Sequence, residues 1–236
     1  MQPTSGNTSF TLFGFPTAIQ PFFWVAAALI TAFSIGPINN DMPIWFTRLF
    51  IGMTGVLLAI LAHELGHALV FRHVFRTPSA IVLHGFGGMT IPLQHVSRRY
   101  GLSGAFAHCF LSFSGPLAGF ILAFLMYVLL FITPPAESLV FKLFGFFLSW
   151  TVTISIFWGI VNLLPIYPMD GGHISREIFL FFFPRQGVRF SLILSMMVAA
   201  LLGVLAFQYG ASIIAFFFAF FAYQNYQEMT FGSFRR

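Results

Sequence analysis

The chain has 236 residues, 58% of them hydrophobic and only 7% charged, with a mean hydropathy of +0.89. Soluble domains carry about 25% charged residues, so this composition excludes a chain whose main solvent is water. The net charge of +5 does not indicate a nucleic-acid binder, because the basic residues fall in alternate segments between apolar runs rather than in one patch.

Residues 8–20, at the N-terminal side, are apolar and β-prone and are broken by Gly14 and Pro16. They predict two short membrane-associated strands and a turn. Apolar runs follow at 21–37, 45–71, 102–132, 139–166 and 190–223. A helix needs about 20 residues to cross a hydrocarbon core, so each run reads as a span. Gln208-Tyr209-Gly210 interrupts the last run and divides it in two. The expectation is an all-α polytopic membrane protein with about six transmembrane helices. It would form a single integral-membrane domain over 1–236, with its core at 21–223 and a cytoplasmic tail at 224–236. Between the second and third spans, 79–94 carries Gly85, Gly87 and Gly88 and predicts a β-hairpin. An irregular interfacial loop is the alternative, since Gly-rich strands fix register weakly.

Arg72, Arg76, Arg98 and Arg99 lie between spans two and three. Arg176, Arg185 and Arg189 lie between spans four and five, and Arg235 and Arg236 end the sequence. The alternate loops hold only Asp41, Arg48, Glu137 and Lys142. This bias predicts cytoplasmic termini and cytoplasmic Arg-rich loops. The first twenty residues contain no Lys or Arg, unlike a secretory signal, and the expected location is a bacterial or archaeal plasma membrane. Cys109 is the single cysteine and reads as a buried, inert thiol. The 35 Phe residues need no function, because Phe inserts favourably in lipid-facing helices.

Ionisable groups inside spans are costly and mark functional sites. Of the six acids, Asp41, Glu137, Glu177 and Glu228 fall in loops or the tail, which leaves Glu64 and Asp170. Glu64 belongs to His63-Glu64-Leu65-Gly66-His67, an H-E-x-x-H pattern in the second span. Residues four apart share a helix face, so His63 and His67 can offer imidazole nitrogens to one zinc ion. Glu64, beside the first ligand, can accept a proton from a water there. Catalytic zinc usually takes three protein ligands, and the stretch Asn162-Leu163-Leu164-Pro165-Ile166-Tyr167-Pro168-Met169-Asp170-Gly171-Gly172 offers a third. Pro165 and Pro168 break the helix, and the glycines permit an open backbone around Asp170. A plain helix end stopped by Pro and Gly is the competing reading.

With these motifs, the chain resembles the site-2 protease family of intramembrane zinc metalloproteases, peptidase family M50. The resemblance rests on H-E-L-G-H at 63–67, N-L-L-P-I-Y-P-M-D-G-G at 162–172 and G-P-L-A-G at 115–119, within about residues 10–175. It implies a minimal form without PDZ or CBS modules, with one zinc held by His63, His67 and Asp170 and with Glu64 as general base. Met169 stands where the family usually has Leu. The resemblance also gives Asn162 a catalytic part in polarising the substrate carbonyl, with an interhelical hydrogen bond as the alternative. Gly115 and Gly119 read as small residues for close helix packing. The implied activity is endoproteolysis of transmembrane protein substrates in or near the bilayer, with no nucleic-acid partner. A transporter, or a scaffold on an inherited fold, is the rival class. The role of His173, the substrate's identity and the oligomeric state are left open.

Overall fold

A computed structural model describes residues 8–38, 41–96, 101–134 and 138–232. Arg98, Arg99, Glu137, Arg235 and Arg236, used above for topology, lie outside the described residues. The chain divides into two compact units, one of residues 1–96 and 114–160, the other of residues 97–113 and 161–236.

The first unit opens with strands β1 (Thr8–Leu12) and β2 (Phe15–Ile19), joined by a tight turn. Phe13 and Gly14 both take positive φ there (48° and 84°), the left-handed pair that matches the twist of a two-residue hairpin. Helices α1 (Pro21–Ile35) and α2 (Met42–His73) follow, then strands β3 (Ser79–His84) and β4 (Gly87–Pro92). The four strands form one sheet in the order β1-β2-β3-β4. The outer pairs are antiparallel, and β2 runs parallel to β3 with Thr17 opposite Ile81. Phe15, Thr17 and Ile19 of β2 alternate inward, as do Ser79, Ile81 and Leu83 of β3. Their apolar members join Phe23, Val56, Ala59, Ile60, Ala68 and Ile154 in one core. The rest of the unit is most of α3 (Gly101–Ile132) and of α4 (Leu139–Asn162).

Small residues set the helix approaches in this unit. A Cβ on Gly66 would fall 2.8 Å from the Ala118 Cβ and on the Ser114 carbonyl, so the backbones of α2 and α3 come together at that glycine. Nearer the start of α2, Trp150 Nε1 donates to the Gly52 carbonyl at 3.0 Å.

The second unit holds the first turns of α3, the end of α4, and helices α5 (Asp170–Phe182), α6 (Gly187–Gln208) and α7 (Ser212–Phe231). Cys109 is half-buried rather than fully buried, with its sulfur 4.0 Å from the Ile174 carbonyl.

Four helices, α2, α3, α4 and α6, are long and apolar enough to cross a membrane, where six spans were expected. At 1.5 Å per residue the 15 residues of α1 reach roughly 22 Å, short of a hydrocarbon core of about 30 Å. Helix α7 has 20 residues, but Gln224, Asn225, Gln227 and Glu228 make its last turns polar. The segment 224–231 is helical. Glu177, expected in a loop, lies on α5. In the most apolar stretch of each candidate span only 22–28% is buried within the chain, leaving most side chains to a lipid solvent. The molecule is a mostly helical integral membrane protein with a small sheet.

Candidate metal centre

The H-E-x-x-H residues sit well inside α2, six to ten residues before its end at His73. Helical spacing stacks His63 and His67, and their rings meet edge to face with centroids 4.9 Å apart. The two Nε2 atoms lie 3.2 Å from each other. Two imidazoles that bind one tetrahedral zinc at about 2.0–2.1 Å would hold their nitrogens about 3.3 Å apart. The observed separation therefore suits a shared metal; in its absence one ring must donate a proton to the other. His67 Nδ1 stands 3.4 Å from Ser114 Oγ, an outer partner that fixes which ring nitrogen faces inward.

Space for the rings comes from α3. A Cβ on Gly115 would fall on His67 Nε2 and 2.7 Å from His63 Nε2, so the absence of a side chain there keeps both nitrogens accessible. This changes the reading of Gly115, whose sequence signal was visible but pointed to helix packing. Gly119, one turn on, meets only the Ser155 carbonyl, at 3.6 Å from a built Cβ.

Glu64 is 4% exposed and His63 3%. The acid's carboxylate leaves α2 towards β4. Thr90 Oγ1 lies 2.7 Å from Glu64 Oε2 and 3.0 Å from the Glu64 carbonyl. Gly88, two residues earlier and on the same strand face, admits the carboxylate: a Cβ there would lie 2.6 Å from Oε1. Neither contact has a signal in the local sequence, because both depend on how the sheet docks on α2.

In the second unit, α4 ends at Asn162 and residues 163–169 leave the helix, so Asp170 opens a new helix rather than closing the fourth span. Its carboxylate lies in the first turn of α5, where the aligned N–H dipoles favour an anion. The glycines after it are required by space. A Cβ on Gly171 would meet the Leu163 and Leu164 carbonyls, and one on Gly172 would lie 2.5 Å from the Ile166 carbonyl carbon. His173 packs edge to face on Tyr167 with centroids 5.0 Å apart. Within the first unit, His63 and His67 offer two imidazole donors to one metal ion, and Asp170 of the second unit is a carboxylate of the kind that could supply a further ligand.

The family model for peptidase family M50 matches residues 51–205, well over half of the chain. The chain belongs to peptidase family M50. It is 29% identical over 216 residues to stage IV sporulation protein FB of Bacillus subtilis (strain 168), covering 89% of this chain and 66% of that protein. It is 26% identical over 170 residues to a zinc metalloprotease of Methanocaldococcus jannaschii, covering 72% of this chain and 44% of that one. The chain thus spans less than two thirds of the length of either relative. The fold is similar to that of a site-2 protease from Methanocaldococcus jannaschii, with a TM-score of 0.59, 19% identity, and coverage of 94% of this chain and 95% of the other.

Proposed function

We propose that the chain is a zinc-dependent intramembrane endopeptidase that hydrolyses peptide bonds in or near transmembrane segments of membrane proteins. The observation that carries this reading is the pairing of His63 and His67, Nε2 atoms 3.2 Å apart, with the buried carboxylate of Glu64 on one spanning helix. Asp170 is the third ligand, a role supported by its place in the N-L-L-P-I-Y-P-M-D-G-G motif. When bound, zinc polarises a carbonyl and lowers the pKa of a coordinated water. Glu64 takes the proton from the attacking water and passes it to the leaving amine. Thr90 and Gly88 hold the carboxylate in the orientation this exchange needs. Asn162 polarises the substrate carbonyl.

A substrate helix hides its carbonyls in internal hydrogen bonds, so it unwinds locally before cleavage. The hairpin of β3 and β4 supplies backbone groups for the extended segment, since β4 ends the strand order. The Arg bias at Arg72, Arg76, Arg176, Arg185 and Arg189 supports a cytoplasmic position for their segments, and with them the site, at a plasma membrane.

The test is cleavage of a transmembrane substrate by the purified chain in liposomes. Activity should vanish with a zinc chelator, return with zinc, and be absent from Glu64→Gln at full zinc occupancy. Turnover by Glu64→Gln, or zinc-independent turnover, overturns the assignment. A zinc-loaded wild type inert towards several helix-destabilised substrates supports a scaffold instead.

A further inference from the structure

The segment 163–169 cannot hold itself as a helix, because Pro165 and Pro168 lack amide hydrogens. What holds it instead is at Tyr167, three residues before Asp170. The Tyr167 N–H donates to Ser195 Oγ of α6 at 3.1 Å, and its carbonyl accepts from Asn225 Nδ2 of α7 at 2.7 Å. Both side chains are fully buried. Each is also fixed on its own helix: Ser195 Oγ donates to the Ser191 carbonyl at 2.8 Å, and Asn225 Nδ2 donates to the Phe221 carbonyl at 2.7 Å. Apart from Ala215, Asn225 is the one buried residue of α7 among the described residues. A buried amide is costly unless it is hydrogen-bonded, and here both N–H groups are used.

The constraint passes directly to Asp170. A Cβ on Gly172 would fall on the Tyr167 nitrogen and one on Gly171 on the carbonyls at 163 and 164, so the first turn of α5 rests on this segment without intervening side chains. The Met169 N–H donates to the Ile166 carbonyl at 2.8 Å, and the His173 N–H to the Met169 carbonyl at 3.1 Å. Fixing the Tyr167 peptide from both sides therefore fixes the point at which α5 starts.

We infer that Asn225 and Ser195 are positioning residues for the metal centre: they clamp the Tyr167 peptide from α7 and α6 and so set where the Asp170 carboxylate is presented. The inference rests on the reading of Asp170 as a zinc ligand. Partners hydrogen-bonded directly to a ligand typically control metal affinity by about 10–100-fold, and a clamp acting through the backbone before the ligand should fall at the lower end of that range.

The experiment measures zinc dissociation constants by chelator competition on the full chain in detergent, with circular dichroism and size exclusion reporting the fold. Wild type, Asp170→Asn, Asn225→Leu, Ser195→Ala and each clamp variant combined with Asp170→Asn are compared. The expected result is about tenfold or more weaker zinc binding for Asn225→Leu and a smaller loss for Ser195→Ala. Neither should cause further loss in the Asp170→Asn background. A merely structural role would weaken binding equally in both backgrounds, and that outcome overturns the inference. Unchanged affinity in the clamp variants while Asp170→Asn binds poorly also overturns it, and leaves the ligand reading intact. Unchanged affinity in Asp170→Asn removes the ligand reading and the inference together. Should Asn225→Leu not fold, Ser195→Ala, which removes a single hydroxyl and little volume, carries the same comparison.

Discussion

Thr90 Oγ1 stands 2.7 Å from Oε2 of Glu64 and ties strand β4 to the carboxylate beside the first histidine. A hydrogen bond to a charged group contributes about 1.5–3 kcal/mol, roughly 10–100-fold in a rate or equilibrium. Thr90→Val, which keeps the shape and loses the donor, should lower kcat about tenfold or more while zinc content stays at the wild-type level. Thr90→Ser should restore most of the rate. Single-turnover cleavage alongside metal analysis checks both; an unaffected Thr90→Val means that Glu64 is oriented by other contacts.

Gly115 and Gly119 lie one turn apart on α3 and should behave differently. A methyl group at 115 collides with the imidazole nitrogens, whereas one at 119 comes only to ordinary contact, 3.6 Å from the Ser155 carbonyl. Gly115→Ala should therefore lose zinc at a preserved helix content, and Gly119→Ala should bind zinc as the wild type does. Equal zinc content in the two variants would remove Gly115 from the metal centre.

Gly66, between Glu64 and the second histidine, is a packing residue. A Cβ there meets the Ser114 carbonyl and the Ala118 Cβ at 2.8 Å. Overfilling a tight contact costs about 1–3 kcal/mol, so Gly66→Ala should lower the thermal unfolding midpoint in detergent by several degrees. An unchanged midpoint would mean that α2 and α3 separate without cost at this point.

Asn162 ends α4. If it supplies a donor to the developing oxyanion, Asn162→Ala should lower kcat about a hundredfold with zinc and thermal stability retained. A fall in stability with kcat unchanged would make it an interhelical hydrogen-bonding residue instead.

The sequence revealed features that depend on short-range pattern. Hydropathy outlined α2, α3, α4 and α6, because lipid leaves little choice but helix for long apolar runs. The His63 and His67 pairing followed from helical periodicity alone. What escaped was set by tertiary contact or by length. The 163–172 stretch suggested an open loop at a helix end, yet Asp170 starts α5, a helix of 13 residues too short to announce itself by hydropathy. Thr90 and Gly88 reach Glu64 only because β2 pairs with β3 across two intervening helices. Asn225 falls in the segment whose sequence reads as a cytoplasmic tail, and its hydrogen bond to Tyr167 spans 58 residues of sequence. Among the described residues four helices, not six, have the length and apolar character of a span, because α1 is short and the end of α7 is polar.

The most direct test of proteolysis compares new protein N-termini in membranes of cells that express the wild type or Glu64→Gln. The expected result is a set of termini found only with the wild type and mapping to transmembrane or juxtamembrane segments. Identical sets from the two, with both proteins folded and zinc-loaded and with a helix-destabilised substrate present, would contradict a catalytic role for Glu64.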